Sequence, residues 1–99
     1  MTSRLRDHVD RRARSSGRTA KEIFTEAGRL AYGGGEEKKR FWRAYSQVVR
    51  RSGRTLVDRE LLVGLAQVLE DPPEALLWLA TLDLWERDGW PVAAPMEHP

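Results

Sequence analysis

Apolar residues recur at steps of three and four in five separate stretches of the chain, the spacing that lines one face of an α-helix. Residues 3–14 form the first predicted helix: Ser3 is its cap, and Leu5, Val9 and Ala13 make a thin apolar stripe opposite an Arg-rich face. Ser15, Ser16 and Gly17 stop it. Thr19 then caps a second helix, with Glu22 at the spacing of a capping box and Ile23, Phe24 and Ala27 as core candidates. Gly28 can end that helix, or Arg29–Tyr32 can carry it one more turn to Gly33, Gly34 and Gly35.

The third helix is expected over 36–52, with Glu36 and Glu37 at its start, Arg50 and Arg51 at its end and Gly53 beyond it. Trp42, Tyr45 and Val49 form its packing face in this reading, and Lys39, Arg43, Gln47 and Arg50 a separate polar stripe. Asp58 is the natural cap of a fourth helix carrying Leu61, Leu62, Leu65, Val68 and Leu69. Asp71, Pro72, Pro73 and Glu74 mark the start of a fifth, with proline at its first position inside an Asp-x-x-Glu box. This last helix, ending at Gly89, is apolar nearly all round, so a small domain leaves part of it uncovered. Leu77, Trp78, Leu84 and Trp85 are the candidate surface for a homodimer or another protein. The alternative is that Trp90, Pro91 and Val92 fold back over it.

The pattern predicts an all-α fold, a compact bundle of about five helices in one domain over residues 1–90, followed by a flexible tail over 91–99. Ninety-nine residues favour a binding module over an enzyme with a deep cleft. Charge sharpens this. Residues 1–54 hold 15 Lys and Arg against 6 Asp and Glu, a net +9, while residues 55–99 hold 2 against 9, a net −7. A basic half is the footprint expected for a polyanion partner.

The absence of cysteine excludes disulfides and Cys-based zinc sites and is compatible with the cytoplasm, the compartment expected here. No apolar run follows the basic N-terminus, so a secretory signal is not expected, and no stretch approaches the length of a membrane span. His8 and His98 have no partners at the spacing of a metal site or a catalytic triad, so neither catalysis, a metal nor a cofactor is expected. The three glycines at 33–35 lack the Lys-Ser/Thr that would complete a phosphate loop.

The order TAKEIFTEAG, YSQVVRRSGRT, DRELLVGLAQVLEDPPEALLWLA over residues 19–80 resembles the phage-repressor-like (Cro/XRE-type) helix-turn-helix family. The match is best at Leu65, Ala66 and Leu69, then Asp71, Pro72 and the run from Leu76 to Ala80. The resemblance implies a lambda-repressor-like domain that binds duplex DNA through its third helix, commonly as a dimer. The long interval between Gly28 and Tyr45 implies an enlarged turn over 29–37.

On this reading the chain is a small transcriptional regulator that binds double-stranded DNA sequence-specifically. Lys38, Lys39, Arg40, Arg43, Ser46, Gln47, Arg50, Arg51 and Arg54 are the DNA-binding candidates, the cations as phosphate clamps or base readers. In the major groove Gln47 can pair with adenine and Arg43 with guanine, Arg50 lies on the same stripe, and Ser46 more often contacts the backbone or a phosphate. A protein-interaction adaptor docking through its last helix, for example on a polymerase or a toxin, is the alternative. Single-strand RNA binding through Phe41, Trp42 and Tyr45 is a third reading.

Overall fold

The computed structural model describes residues 3–33, 35–50 and 56–90. Its helices are α1 (Arg4–Ser16), α2 (Ala20–Tyr32), α3 (Glu37–Tyr45), α4 (Arg59–Leu69) and α5 (Pro73–Arg87), and α3 runs on into a π-helical turn over Ser46–Arg50. The all-α, five-helix expectation therefore holds. The Cα radius of gyration, 13.0 Å, matches the ~13 Å of a compact 100-residue domain. No described helix is long and apolar enough to cross a membrane. The expected tail at 91–99, together with Arg51, Gly53 and Arg54, lies outside the described residues.

The ends of α1 and α2 form as their local sequence dictates. Ser3 Oγ accepts from the Arg6 N–H at 3.0 Å, and Gly17, at φ 71°, closes α1 in a left-handed conformation open to glycine. Thr19 and Glu22 form the expected reciprocal box: the Glu22 N–H donates to Thr19 Oγ1 at 3.1 Å and the Thr19 N–H to Glu22 Oε1 at 3.0 Å.

Two other expected caps are occupied elsewhere. Asp58 does precede α4, but its side chain makes no capping hydrogen bond there. Likewise Pro73 opens α5 as its first residue, yet Pro72 is the residue at the cap position and no side chain caps the helix. Asp71 instead reaches back to α1, where His8 Nε2 donates to its Oδ2 at 2.7 Å and Arg12 pairs with its Oδ1. Burial pushes the Asp71 carboxyl up, but the His8 and Arg12 hydrogen bonds and charges outweigh it and hold the group below the ordinary carboxylate range.

Leu5, Val9 and Ala13 of α1, Ile23, Phe24 and Ala27 of α2, Ala44 and Val48 of the third segment, and Leu61, Leu65 and Leu76 of α4 and α5 form one core. Each large aliphatic side chain so buried stabilises the fold by roughly 1.5–3 kcal/mol. α2 packs against both α3 and α4, and two glycines set how closely. A Cβ on Gly28 would lie 2.7 Å from the Arg40 carbonyl oxygen, and one on Gly64 would lie 2.9 Å from that of Ala27. Gly28 is thus a crossing point inside α2 and not its end.

At the far side, Asp83 of α5 is buried and caps the first turn of α1. Its Oδ1 accepts from the Arg4 N–H at 2.8 Å and its Oδ2 from the Leu5 N–H at 3.2 Å. The carboxylate satisfies donors that a helix start leaves open and meets the positive end of the α1 dipole. Arg4 closes the arrangement on Glu86 at 2.7 Å.

Candidate nucleic-acid interface

The third segment departs from expectation in its length, its rotation and its turn. Regular α-helix stops at Tyr45, and residues 46–50 continue in the wider π geometry. α2 does take the extra turn to Tyr32, so only residues 33–36 connect it to α3. The enlarged turn expected over 29–37 is replaced by a short connection, because α2 continues to Tyr32.

The packing face of this segment is Phe41, Ala44, Tyr45 and Val48, with Val49 half-buried, whereas Trp42 is 47% exposed. The rotation has a physical cause in α2. Phe24 meets the edge of Tyr45 with ring centroids 5.8 Å apart, and the bare backbone of Gly28 admits the Arg40 carbonyl. With those contacts made, Trp42 turns outward.

The cations divide into those used by the fold and those facing solvent. Lys38, Lys39, Arg43 and Arg50 are exposed. Arg40 is half-buried: its NH1 donates to the Gly33 carbonyl at 2.7 Å, and its Nε is buried with no hydrogen-bond partner among the described residues. Arg43 lies flat over the Tyr32 ring, its guanidinium carbon 3.8 Å from the centroid, and its NH2 is 3.9 Å from Asp58 Oδ2. Lys39, Arg40 and Arg43 share a shallow cleft of about 200 Å³ with Tyr32, Gly35 and Glu36.

Ser46 is half-buried, and Gln47 is committed internally. The Gln47 Nε2 donates to Tyr32 Oη at 2.8 Å and to Asp58 Oδ2 at 2.5 Å, while its Oε1 accepts from the Asp58 N–H at 2.8 Å. The Tyr32 hydroxyl also donates to Asp58 Oδ2, at 3.2 Å. Burial first, and the Asp58 charge second, push the Tyr32 hydroxyl up to about 12. Tyr32, Gln47 and Asp58 therefore tie the ends of α2 and α4 to the π turn. Sequence spacing did not single out Tyr32. Its place one residue before the glycine run, at the end of α2, was the available signal.

Elsewhere the charge asymmetry is partly neutralised within the fold. Arg4 pairs with Asp83 and Glu86, and His8 and Arg12 with Asp71, so the acidic half holds α1 in place. Lys38, Lys39 and Arg50 make no ion pair among the described residues. On α5, Leu77 is 42% and Trp85 43% exposed, Trp78 meets Trp85 edge-to-face at 6.1 Å, and Leu84 is half-buried.

No family model, curated protein or solved structure matches the chain.

Proposed function

We propose that the chain is a small transcriptional regulator that binds double-stranded DNA, laying the outer face of α3 and the π turn against the major groove. The observation that carries this reading is the exposure of Lys38, Lys39, Arg43 and Arg50 along one segment, of which Lys38, Lys39 and Arg50 make no ion pair among the described residues. Exposed cations along one helical segment can neutralise phosphates, and their attraction is what steers a protein onto a duplex. The helix order over residues 19–80 and the short 33–36 connection support a helix-turn-helix arrangement of the Cro/XRE kind, with Gly28 as the point of close approach between α2 and α3.

In this proposal Lys38 and Lys39 hold phosphates, and Arg50, together with Arg43 once it leaves the Tyr32 ring and Asp58, reaches base edges, where a bidentate arginine contact to guanine discriminates by about 1–3 kcal/mol. Arg51 and Arg54 extend the basic run in sequence. Gln47 braces the segment through Asp58 and Tyr32 and takes up base reading only by leaving them. A second copy pairs through α5, where Leu77 with Leu84 and Trp78 with Trp85 repeat every seven residues, the seam repeat of packed helices.

Random-oligonucleotide selection with the purified protein tests the proposal. Enrichment of a two-fold-symmetric motif, lost in the Arg43→Glu, Arg50→Glu variant, is expected; no enrichment sinks it. The exposed Leu77 and Trp85 also favour a second reading, an adaptor that docks another protein through α5 without reading DNA. Under that reading Trp85→Ala abolishes partner binding and reversal of the arginine charges leaves it intact.

A further inference from the structure

Within the cationic face of α3 stands one large apolar side chain. Trp42 is 47% exposed, while its aromatic neighbours are turned inward: Phe41 and Tyr45 stack on each other with centroids 5.6 Å apart and pack against the core. Their rings fence the indole. Trp42 meets Phe41 at 5.4 Å and 71°, and Tyr45 at 5.5 Å and 82°. An indole held this way has little side-chain freedom left to lose on binding. Lys38 and Lys39 lie one turn before it and Ser46 one turn after, positions that share its side of a helix.

We infer that Trp42 is a specificity-determining residue of this surface, contacting thymine methyl groups in the major groove. The inference rests on the duplex-binding proposal and adds to it the base that is read. Among the groups that base pairs present in the major groove, the thymine 5-methyl is the apolar one, and apolar side chains are its usual partners. The flanking cations hold phosphates and so press the indole toward the base edges. Single-strand binding is disfavoured by the same geometry. Stacking successive unpaired bases takes several exposed ring faces, whereas Phe41 and Tyr45 are packed against the core and only Trp42 stands clear.

The test is competition binding by the full chain with three mixed-sequence pools: a duplex containing thymine, the same duplex with uracil in its place, and a single strand. Replacing thymine by uracil removes the methyl alone. The wild type is expected to bind the thymine duplex several-fold tighter than the uracil duplex. Trp42→Ala is expected to lose that preference while keeping its helical circular dichroism, and Trp42→Phe to retain part of it. Equal affinity of the wild type for the two duplexes overturns the role given to Trp42 and leaves duplex binding standing, as does a preference that survives in Trp42→Ala. Tighter binding to the single strand, lost in Trp42→Ala, assigns the ring to stacking and overturns the inference. Failure to bind either duplex overturns this inference together with the proposal beneath it.

Discussion

Gln47 and Asp58 hold each other from both ends: the Gln47 Nε2 donates to the Asp58 carboxylate at 2.5 Å, and the Asp58 N–H donates to the Gln47 Oε1 at 2.8 Å. Tyr32 joins them through its hydroxyl. The π turn is thereby fixed against the ends of two helices, which sets the direction in which α3 presents its cations.

Removing the carboxylate breaks this brace. Asp58→Ala leaves the Gln47 amide and the Tyr32 hydroxyl without their shared acceptor, and its midpoint in a urea titration is expected to fall by the equivalent of about 1–3 kcal/mol. An unchanged midpoint would show that the network is not structural. The Tyr32 shift adds a pH signature. Its hydroxyl holds the proton more tightly in the folded state, so the stability it contributes is complete below the ordinary tyrosine value of about 10 and declines as pH rises toward about 12.

Ser3 caps the Arg6 N–H of α1, and Asp83, from α5, takes the Arg4 and Leu5 N–H groups. Asp83→Ala strips the acceptor from the Arg4 and Leu5 N–H groups and is expected to cost about 1–2 kcal/mol, the range for loss of a helix cap. Hydrogen exchange should locate the loss at the first turn of α1. Uniform acceleration across all helices would contradict a local capping role.

Acid should weaken the tie between α1 and Asp71. Because the folded-state pKa lies below the unfolded value of about 3.9, the stability from Asp71 is fully present above that value and is lost as pH falls through the folded-state pKa. In thermal melts, Asp71→Asn is therefore expected to lie about 2 kcal/mol below wild type near neutrality. The two should converge at low pH; a gap that stays constant contradicts the assignment.

Two backbone positions should respond in opposite directions. Gly28→Ala places a Cβ against the Arg40 carbonyl and is expected to destabilise by about 1–3 kcal/mol as α3 is forced away. Glu70 ends α4 at φ 58°, a left-handed conformation that costs a side-chain-bearing residue about 1 kcal/mol. Glu70→Gly should recover part of that in the same melt.

What was legible in the chain was what is local. Thr19 and Glu22 lie three residues apart and form their box by themselves, and the apolar stripes of α1 and α4 point inward as their spacing says. Asp58 and Asp71 carry the same capping signature but bond to residues distant in sequence, so their partners could not be read from spacing. The rotation of α3 was hidden for a related reason. Phe41 with Tyr45 and Trp42 with Tyr45 both satisfy helical periodicity, and the choice between them is made by Phe24 and Gly28 on another helix. The 36–54 basic run was visible as charge. Which of its members are exposed depended on contacts such as that of Arg40 with the Gly33 carbonyl.

Duplex affinity as a function of salt concentration tests duplex binding through α3 most directly. On a log-log plot the wild type should fall steeply, by about −0.9 for each phosphate neutralised, and the Lys38→Ala, Lys39→Ala variant should fall less steeply by up to about two such increments. A flat response in the wild type, or a slope that these two substitutions leave unchanged, would contradict phosphate contact by the exposed face of α3.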